Sequence, residues 1–291
     1  MLELLPTEAS SDQDLEEVWS WLLEHPRRAK NGLDLEAVFS RSIRQALDEV
    51  IDGPRTGRYR YEELETQEKA YIGTRIEIVV RTELSLEPEG KLDTLIEGHA
   101  VDFKWSARGG WMIPTEAVGE LCLLLKGDET KGTFSVGLVR CEDELLNKGA
   151  NKDSKRTISK AGKKEIRWLV EDGKLPVSLL AELDPEVEAA VFARPPGQAR
   201  VREFFKRMMR QPVPRDVICT LAMQEDPMRR VRQDRGSASL DGMKILSGHF
   251  KVSKAAAEEL GYGTLAKNDY MSVPIDELRT LPPGLRDELE V

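Results

Sequence analysis

At 291 residues, 40% of them hydrophobic, the chain can bury a core for one large domain or two ordinary ones without disulfides or metals to staple it. One third of the residues are charged, yet the apolar ones recur in periodic runs, which excludes a disordered chain; no run reaches the roughly 18–20 apolar residues of a membrane helix, and the start carries no signal-peptide pattern, so a soluble, cytoplasmic protein is expected. A net charge of -9 excludes coating nucleic acid through bulk charge, but Lys148 to Arg167 and Arg194 to Arg235 are rich in Lys and Arg and leave a local phosphate-binding surface open.

Leu15, Val18, Trp19 and Leu22 fall at helical spacing, as do Val38, Ile43, Leu47 and Ile51, so two amphipathic helices open the chain. Asp52-Gly53-Pro54 ends the second, and Arg55-Thr56-Gly57-Arg58 reads as an exposed basic loop. A third helix is expected from Thr66 to Leu86, with Gly73, Ile76, Val80 and Leu84 on its buried stripe and Glu77 at the edge. Leu92–Ile96 and Ala100–Trp105, separated by Gly98, predict an antiparallel strand pair. Further strands are expected at Leu121–Leu125 and Thr133–Val139, joined by a turn at Gly127-Asp128. A helix near Ile166–Val170 precedes a domain junction placed near residue 171, after which Ser178–Val191, Gly197–Met209 and Pro214–Met223 read as helical. Asp226-Pro227 is a good N-cap and first-turn pair for a basic helix through Met228–Arg232, which makes a helix-turn-helix candidate. Strands at Met243–Leu246 and Met271–Val273, around a helix from Ser253 to Leu260, are compatible with a winged helix.

Asp102 and Lys104 stand two apart on a predicted strand, so both project from one face while Val101 and Phe103 pack on the other. Hydrolysis of a phosphodiester needs charge stabilised on the phosphate and a group that orients water, and carboxylates suit magnesium. Asp93 and Asp102 are the candidate ligands, with Glu77 reaching in from the helix and Lys104 set against water and phosphate. In a chain this charged, an acid-x-Lys triplet also arises by chance as a surface ion pair.

Several blocks in order extend the pattern: Val50 to Arg58, Gly73 to Ile78, Asp93, Val101 to Lys104, Trp111 to Pro114, Gly197 to Val201 and Met228 to Arg232. Through them the chain resembles the PD-(D/E)xK nucleases, and more closely the NaeI restriction endonucleases. The resemblance implies a nuclease-like mixed α/β sheet flanked by helices, then a helix-turn-helix or winged-helix DNA-binding domain, with residues 1–170 catalytic and 171–291 binding effector DNA. It implies Glu77, Asp93, Asp102 and Lys104 as active-site residues, the three acids as ligands of Mg2+, and Arg55, Arg58, Arg200, Arg229, Arg230 and Arg232 as DNA-binding residues. It further implies a type II enzyme that leaves 5' phosphates, a homodimer engaging two copies of its double-stranded site, and no membrane partner. Leu92 stands where a Pro often precedes the first acid of the nuclease pattern. A non-catalytic helix-turn-helix regulator and a DNA repair nuclease on the same scaffold are the competing readings.

Val50-Ile51-Asp52-Gly53 echoes the Lys-x-Asp-Gly signature of DNA ligases, but Val50 cannot be the nucleophile, so ligase activity is not expected. The run from Lys148 to Lys164 reads as a mobile, phosphate-contacting loop. Cys122, Cys141 and Cys219, with no CxxC pair, read as core residues, as do Trp111 and Trp168. His25, His99 and His249 lack metal-ligand spacing, and His99 reads as a strand surface residue.

Overall fold

The periodicity of the opening residues becomes helix α1 (Gln13–Arg28), which buries Leu15, Val18 and Leu22, and α2 (Leu35–Ile51), which buries Val38, Ile43, Leu47 and Ile51. The computed structural model describes residues 12–28, 34–235 and 242–291, so most of the opening segment scanned for a targeting pattern lies outside it. A short helix α3 (Gly53–Thr56) and the long α4 (Thr66–Glu83) follow. Strands come next: β1 (Thr94–Ile96), β2 (His99–Trp105), β3 (Met112–Ile113), β4 (Leu121–Asp128), β5 (Thr133–Arg140), β6 (Leu146–Ala150), β7 (Arg156–Ile158) and β8 (Arg167–Lys174). The C-terminal part runs α5 (Pro185–Phe192), α6 (Gln198–Arg207), β9 (Val213–Pro214), α7 (Arg215–Ala222), α8 (Met228–Arg235), β10 (Met243–Ser247), α9 (Lys251–Glu259), β11 (Asp269–Pro274), α10 (Ile275–Leu278) and α11 (Pro283–Leu289).

Two compact units result: the described residues of Met1–Val50 with Glu65–Val177, and Ile51–Leu64 with Ser178–Val291. The junction expected near residue 171 falls inside β8, and the second unit also takes in an excursion from the N-terminal half.

The first unit is built on a five-stranded mixed sheet in the order β1-β2-β4-β5-β8, with β2 and β4 parallel and the other neighbours antiparallel. Leu121 to Leu125 of β4 are all buried, as expected of a central strand covered on both faces. On one face α4 packs against β2, with Gly73 opposite Trp105: a Cβ added at the glycine would lie 3.5 Å from the Cβ of Trp105, an ordinary van der Waals contact. On the other face lies a small sheet, β3-β7-β6, whose Ile113, Leu146 and Ile158 join Trp111 against Cys122, Leu124 and Val139. Cys122 and Cys141 are buried there as expected, and Trp168 is half-buried against the same cluster.

Three expectations for this unit are corrected. Ile166–Val170 is not a helix: it leads into β8, where Trp168 pairs with Gly137 and Val170 with Val136. The spacing of two between Ile166, Trp168 and Val170 is a strand signal, and Gly137 leaves the room it needs, since a Cβ there would meet Ile166 at 2.4 Å. Gly127-Asp128 lies within β4, paired with Phe134 and Thr133, and the turn falls at residues 129–132, with Gly132 at φ 62°. Gly127 sits under the Trp105 ring, which a Cβ would strike at 2.5 Å. The lysine-rich run is not an unstructured loop: β6 and β7 pair through Leu146↔Ile158 and Ala150↔Arg156, and Asn151 Oδ1 closes the tip by accepting from the amides of Asp153 and Lys155, each at 2.9 Å.

In the second unit the helix expected over Ser178–Val191 starts only at Pro185, where the Asp184 carboxylate accepts from Glu186 N at 2.9 Å and caps it. The remaining correction concerns Arg55 to Arg58. Helix α3 is not a bare loop, since a Cβ added at Gly53 would meet Thr220 Oγ1 of α7 at 2.4 Å and one at Gly57 would meet Met223 Sδ at 2.9 Å. Two glycines therefore seat this segment on α7, and Tyr59 enters the core with Leu180, Val191, Phe204 and Ile218. Helices α6, α7 and α8 share that core, beside a three-stranded antiparallel sheet in the order β10-β11-β9. As the Asp-Pro signal requires, Asp226 Oδ1 accepts from Arg229 N at 3.1 Å at the start of α8.

Candidate active site

Strand β1 pairs with β2 only through Thr94↔Val101, Leu95↔Ala100 and Ile96↔His99. Beyond Val101 this edge of β2 has no strand partner among the described residues, and Asp93, next in the same register, faces Asp102. In place of a ladder bond, Asp93 Oδ2 accepts the amide of Phe103 at 2.5 Å. The hairpin turn that sets this register, Glu97-Gly98, has φ of 52° and 87°, the twist a two-residue hairpin needs.

Asp102 is 4% exposed, and Lys104 Nζ lies 2.6 Å from its Oδ2. That contact is outside hydrogen-bond direction, so the buried oxygen has an ion pair but no hydrogen bond. The ammonium instead donates to Phe103 O at 3.1 Å. Burial pushes the Asp102 carboxyl up to about 6; Lys104 opposes the rise and the neighbouring Asp93 adds to it. Lys104 is depressed by its own burial, but Asp102 and Asp93 outweigh that and hold its pKa above the usual value. It is therefore a cation, not a free amine, at neutral pH.

Glu77 reaches this edge from α4. Burial raises its pKa, Asp93 raises it further, and Arg81 and Lys104 pull it down. Arg81 holds it at 2.9 Å, one helical turn on. Arg81 was missed as a site neighbour, although Glu77 and Arg81 stand at the i,i+4 spacing that pairs side chains on a helix. Leu92, in the place of the expected Pro, is 6% exposed and packs in the core beneath the site. His99 is taken up by α1, its Nε2 lying 2.8 Å from Glu17 Oε2 and its Nδ1 3.6 Å from Asp14, which agrees with a strand surface residue.

The structure thus brings Asp93, Asp102 and Lys104 together, with Glu77 electrostatically coupled to them. Among the described residues no three His, Cys, Asp or Glu side chains are grouped as a ready metal cage. Magnesium does not require one: it keeps several waters and takes one or two protein carboxylates together with substrate phosphate. Two facing carboxylates, one with a buried oxygen short of a hydrogen bond, suit that demand.

The arginines of the second unit are placed differently. Arg55 is exposed on α3 and pairs with Asp52 at 2.5 Å, whereas Arg58 is half-buried and donates to Ile51 O at 3.4 Å. Arg200 is 9% exposed, its guanidinium donating to Arg194 O at 3.1 Å over the Phe192 ring. Expected to face DNA, it is instead spent on internal contacts, because a helix with Val201, Phe204 and Phe205 in the core turns Arg200 the same way. On α8, Arg229 and Arg232 are exposed; Arg232 holds Asp226 at 2.6 Å, and Arg230 donates to Gln224 at 2.9 Å.

A family described as restriction endonuclease NaeI matches residues 34–282. The chain is also 33% identical to the type II restriction enzyme NaeI of Lentzea aerocolonigenes, over 95% of this chain and 89% of that protein. Its class is that of the sequence-specific DNA endonucleases. The chain belongs to the NaeI restriction endonuclease family. No helix among the described residues is long and apolar enough to cross a membrane.

Proposed function

We propose that the chain is a type II restriction endonuclease that hydrolyses double-stranded DNA at the open edge of β2, with magnesium held by Asp93 and Asp102 and approached by Glu77. The observation that carries this reading is the buried Asp102 carboxylate, paired with half-buried Lys104 and facing Asp93. Burying a carboxylate oxygen without a hydrogen bond is costly, and a bound cation would offset that cost. Bound magnesium would stabilise charge on the phosphate. Lys104, kept protonated by the two acids, orients the attacking water and contacts the scissile phosphate. Arg81 fixes the rotamer of Glu77, and the Phe103 amide fixes Asp93. The products carry 5' phosphates.

The second unit, on this reading, binds DNA. Its order of helix, strand, helix, helix, strand, strand, with α9 inserted before the last strand, supports a winged-helix arrangement in which α8 is the recognition helix. Arg229, Arg230 and Arg232 then meet phosphates or guanine edges, and Arg55 meets phosphate. The enzyme acts as a homodimer, with a second copy of the site serving as effector.

Incubating a plasmid library with the protein in magnesium, with EDTA and Asp102→Ala controls, and sequencing the DNA ends tests the reading. Discrete ends at one sequence, absent from both controls, are expected. DNA bound but uncut in magnesium and manganese, with or without added site oligonucleotide, would instead support a non-catalytic regulator; cuts confined to mismatched or damaged DNA would support a repair nuclease.

A further inference from the structure

Most arginines of the first unit are already committed: Arg44 to Glu129, Arg75 to Glu49, Arg81 to Glu77, Arg140 to Asp12 and Arg156 to Asp143. Three cations near the end of β2 differ. Among the described residues, Arg108, Lys126 and Lys163 have no carboxylate partner.

Their positions are tied to the candidate site by register. Asp102 pairs with Cys122 and Lys104 with Leu124, so Lys126, two residues further along β4, lies on the same face as both. The chain leaves β2 through the turn at residues 106–110, closed by Ser106 Oγ accepting from Gly110 N at 2.9 Å, with Arg108 exposed on it. Trp111 then anchors the turn, donating from Nε1 to Leu125 O at 2.8 Å. Gly109 lies between this ring and Lys126: a Cβ there would meet Trp111 at 3.6 Å and Lys126 Cδ at 3.7 Å. Lys163, beyond β7, brings its Nζ to 5.9 Å from the centre of the same ring. Lys126 is half-buried, its stem passes Gly109 and no carboxylate among the described residues pairs with it, so its charge is available to an incoming phosphate.

We propose that Lys126 and Lys163, grouped around Trp111, with Arg108 on the adjoining turn, bind backbone phosphates of the DNA strand entering the Asp102–Lys104 site. This rests on the reading that this face cuts DNA. The row carries no base readout: ammonium groups on a backbone position the strand, and affinity through them depends steeply on salt.

The test titrates a labelled random-sequence duplex in calcium with the full chain, at KCl from about 50 to 200 mM. Wild type is compared with the Lys126→Gln/Lys163→Gln double variant, the Lys→Arg double variant, and Lys131→Gln at the distant β4–β5 turn. The Gln double variant is expected to bind on the order of tenfold more weakly and to lose about 1.8 from the slope of log K against log salt, or about 0.9 per lost phosphate contact. The Arg variant and Lys131→Gln should keep the wild-type slope, and thermal unfolding should be unchanged in all. An unchanged slope in the Gln double variant overturns the proposal. Plasmid cleavage in magnesium, run alongside with Asp102→Ala, separates the two readings. If wild type cuts and Asp102→Ala does not, an unchanged slope removes the phosphate row and leaves the endonuclease standing. If wild type cuts nothing while the slope falls, the row stands and the cleavage reading fails.

Discussion

The cations of the two units differ in how they are held. On the candidate catalytic face, Lys104 contacts a buried carboxylate while Lys126 and Lys163 stand without one. In the second unit, Arg55, Arg60 and Arg232 are each paired with an acid, and Arg200 is folded into the core. A paired surface arginine must exchange its partner to bind phosphate, which lowers the net gain, whereas an unpartnered cation is ready for one. The comparison teaches that positive charge in the sequence is a poor guide to ligand contact until its intramolecular partners are known.

The largest effect should come from the first unit. Asp102→Asn is expected to reduce cleavage by on the order of 10³-fold while leaving DNA binding in calcium near wild type. Single-turnover cleavage and binding measured together check this, and equal losses in both would dissolve the contrast between a chemical and a binding unit. Next, replacing Arg229, Arg230 and Arg232 by Ala one at a time should weaken binding by about 1–3 kcal/mol where the residue reads a base and reduce the salt slope by about 1 where it meets phosphate. Full binding by all three variants would mean that the α8 pairs are structural.

Gly53→Ala sharpens the comparison from the side of stability. The new methyl group has no room against Thr220, so about 1–3 kcal/mol of destabilisation is expected in urea unfolding, with no direct change at Asp102. The smallest effect concerns Glu188, which Arg60 and Tyr59 hold by hydrogen bonds at a pKa of about 2, below its ordinary 4.5. A depressed carboxylate contributes fully above its unfolded pKa and loses that contribution as pH falls through the folded one. Glu188→Gln should therefore flatten the decline in stability between pH 4.5 and 2, read as the melting temperature across that window.

Long periodic helices and the Asp-x-Lys strand were legible because their signals are local. The buried stripe of α4 and the hairpin at Gly98 need only spacing and turn chemistry. Strand β8 was misread because its apolar run is short and becomes a strand through pairing with β5. Arg55 to Arg58 read as a loop because nothing local reveals that Thr220, far along the chain, requires glycine at residue 53.

The sequence by itself determined the chemistry available at the site: two acids and a lysine at strand spacing, a helix bearing a third acid, and a basic helix introduced by Asp226-Pro227. Tertiary structure alone decided which cations are free to act and where each unit ends. Burial of Asp102, the internal use of Arg200 and the grouping of Lys126 with Lys163 around Trp111 all depend on strands and loops distant in sequence meeting in space. Desolvation and charge pairing are properties of that meeting, so no spacing rule along the chain can supply them.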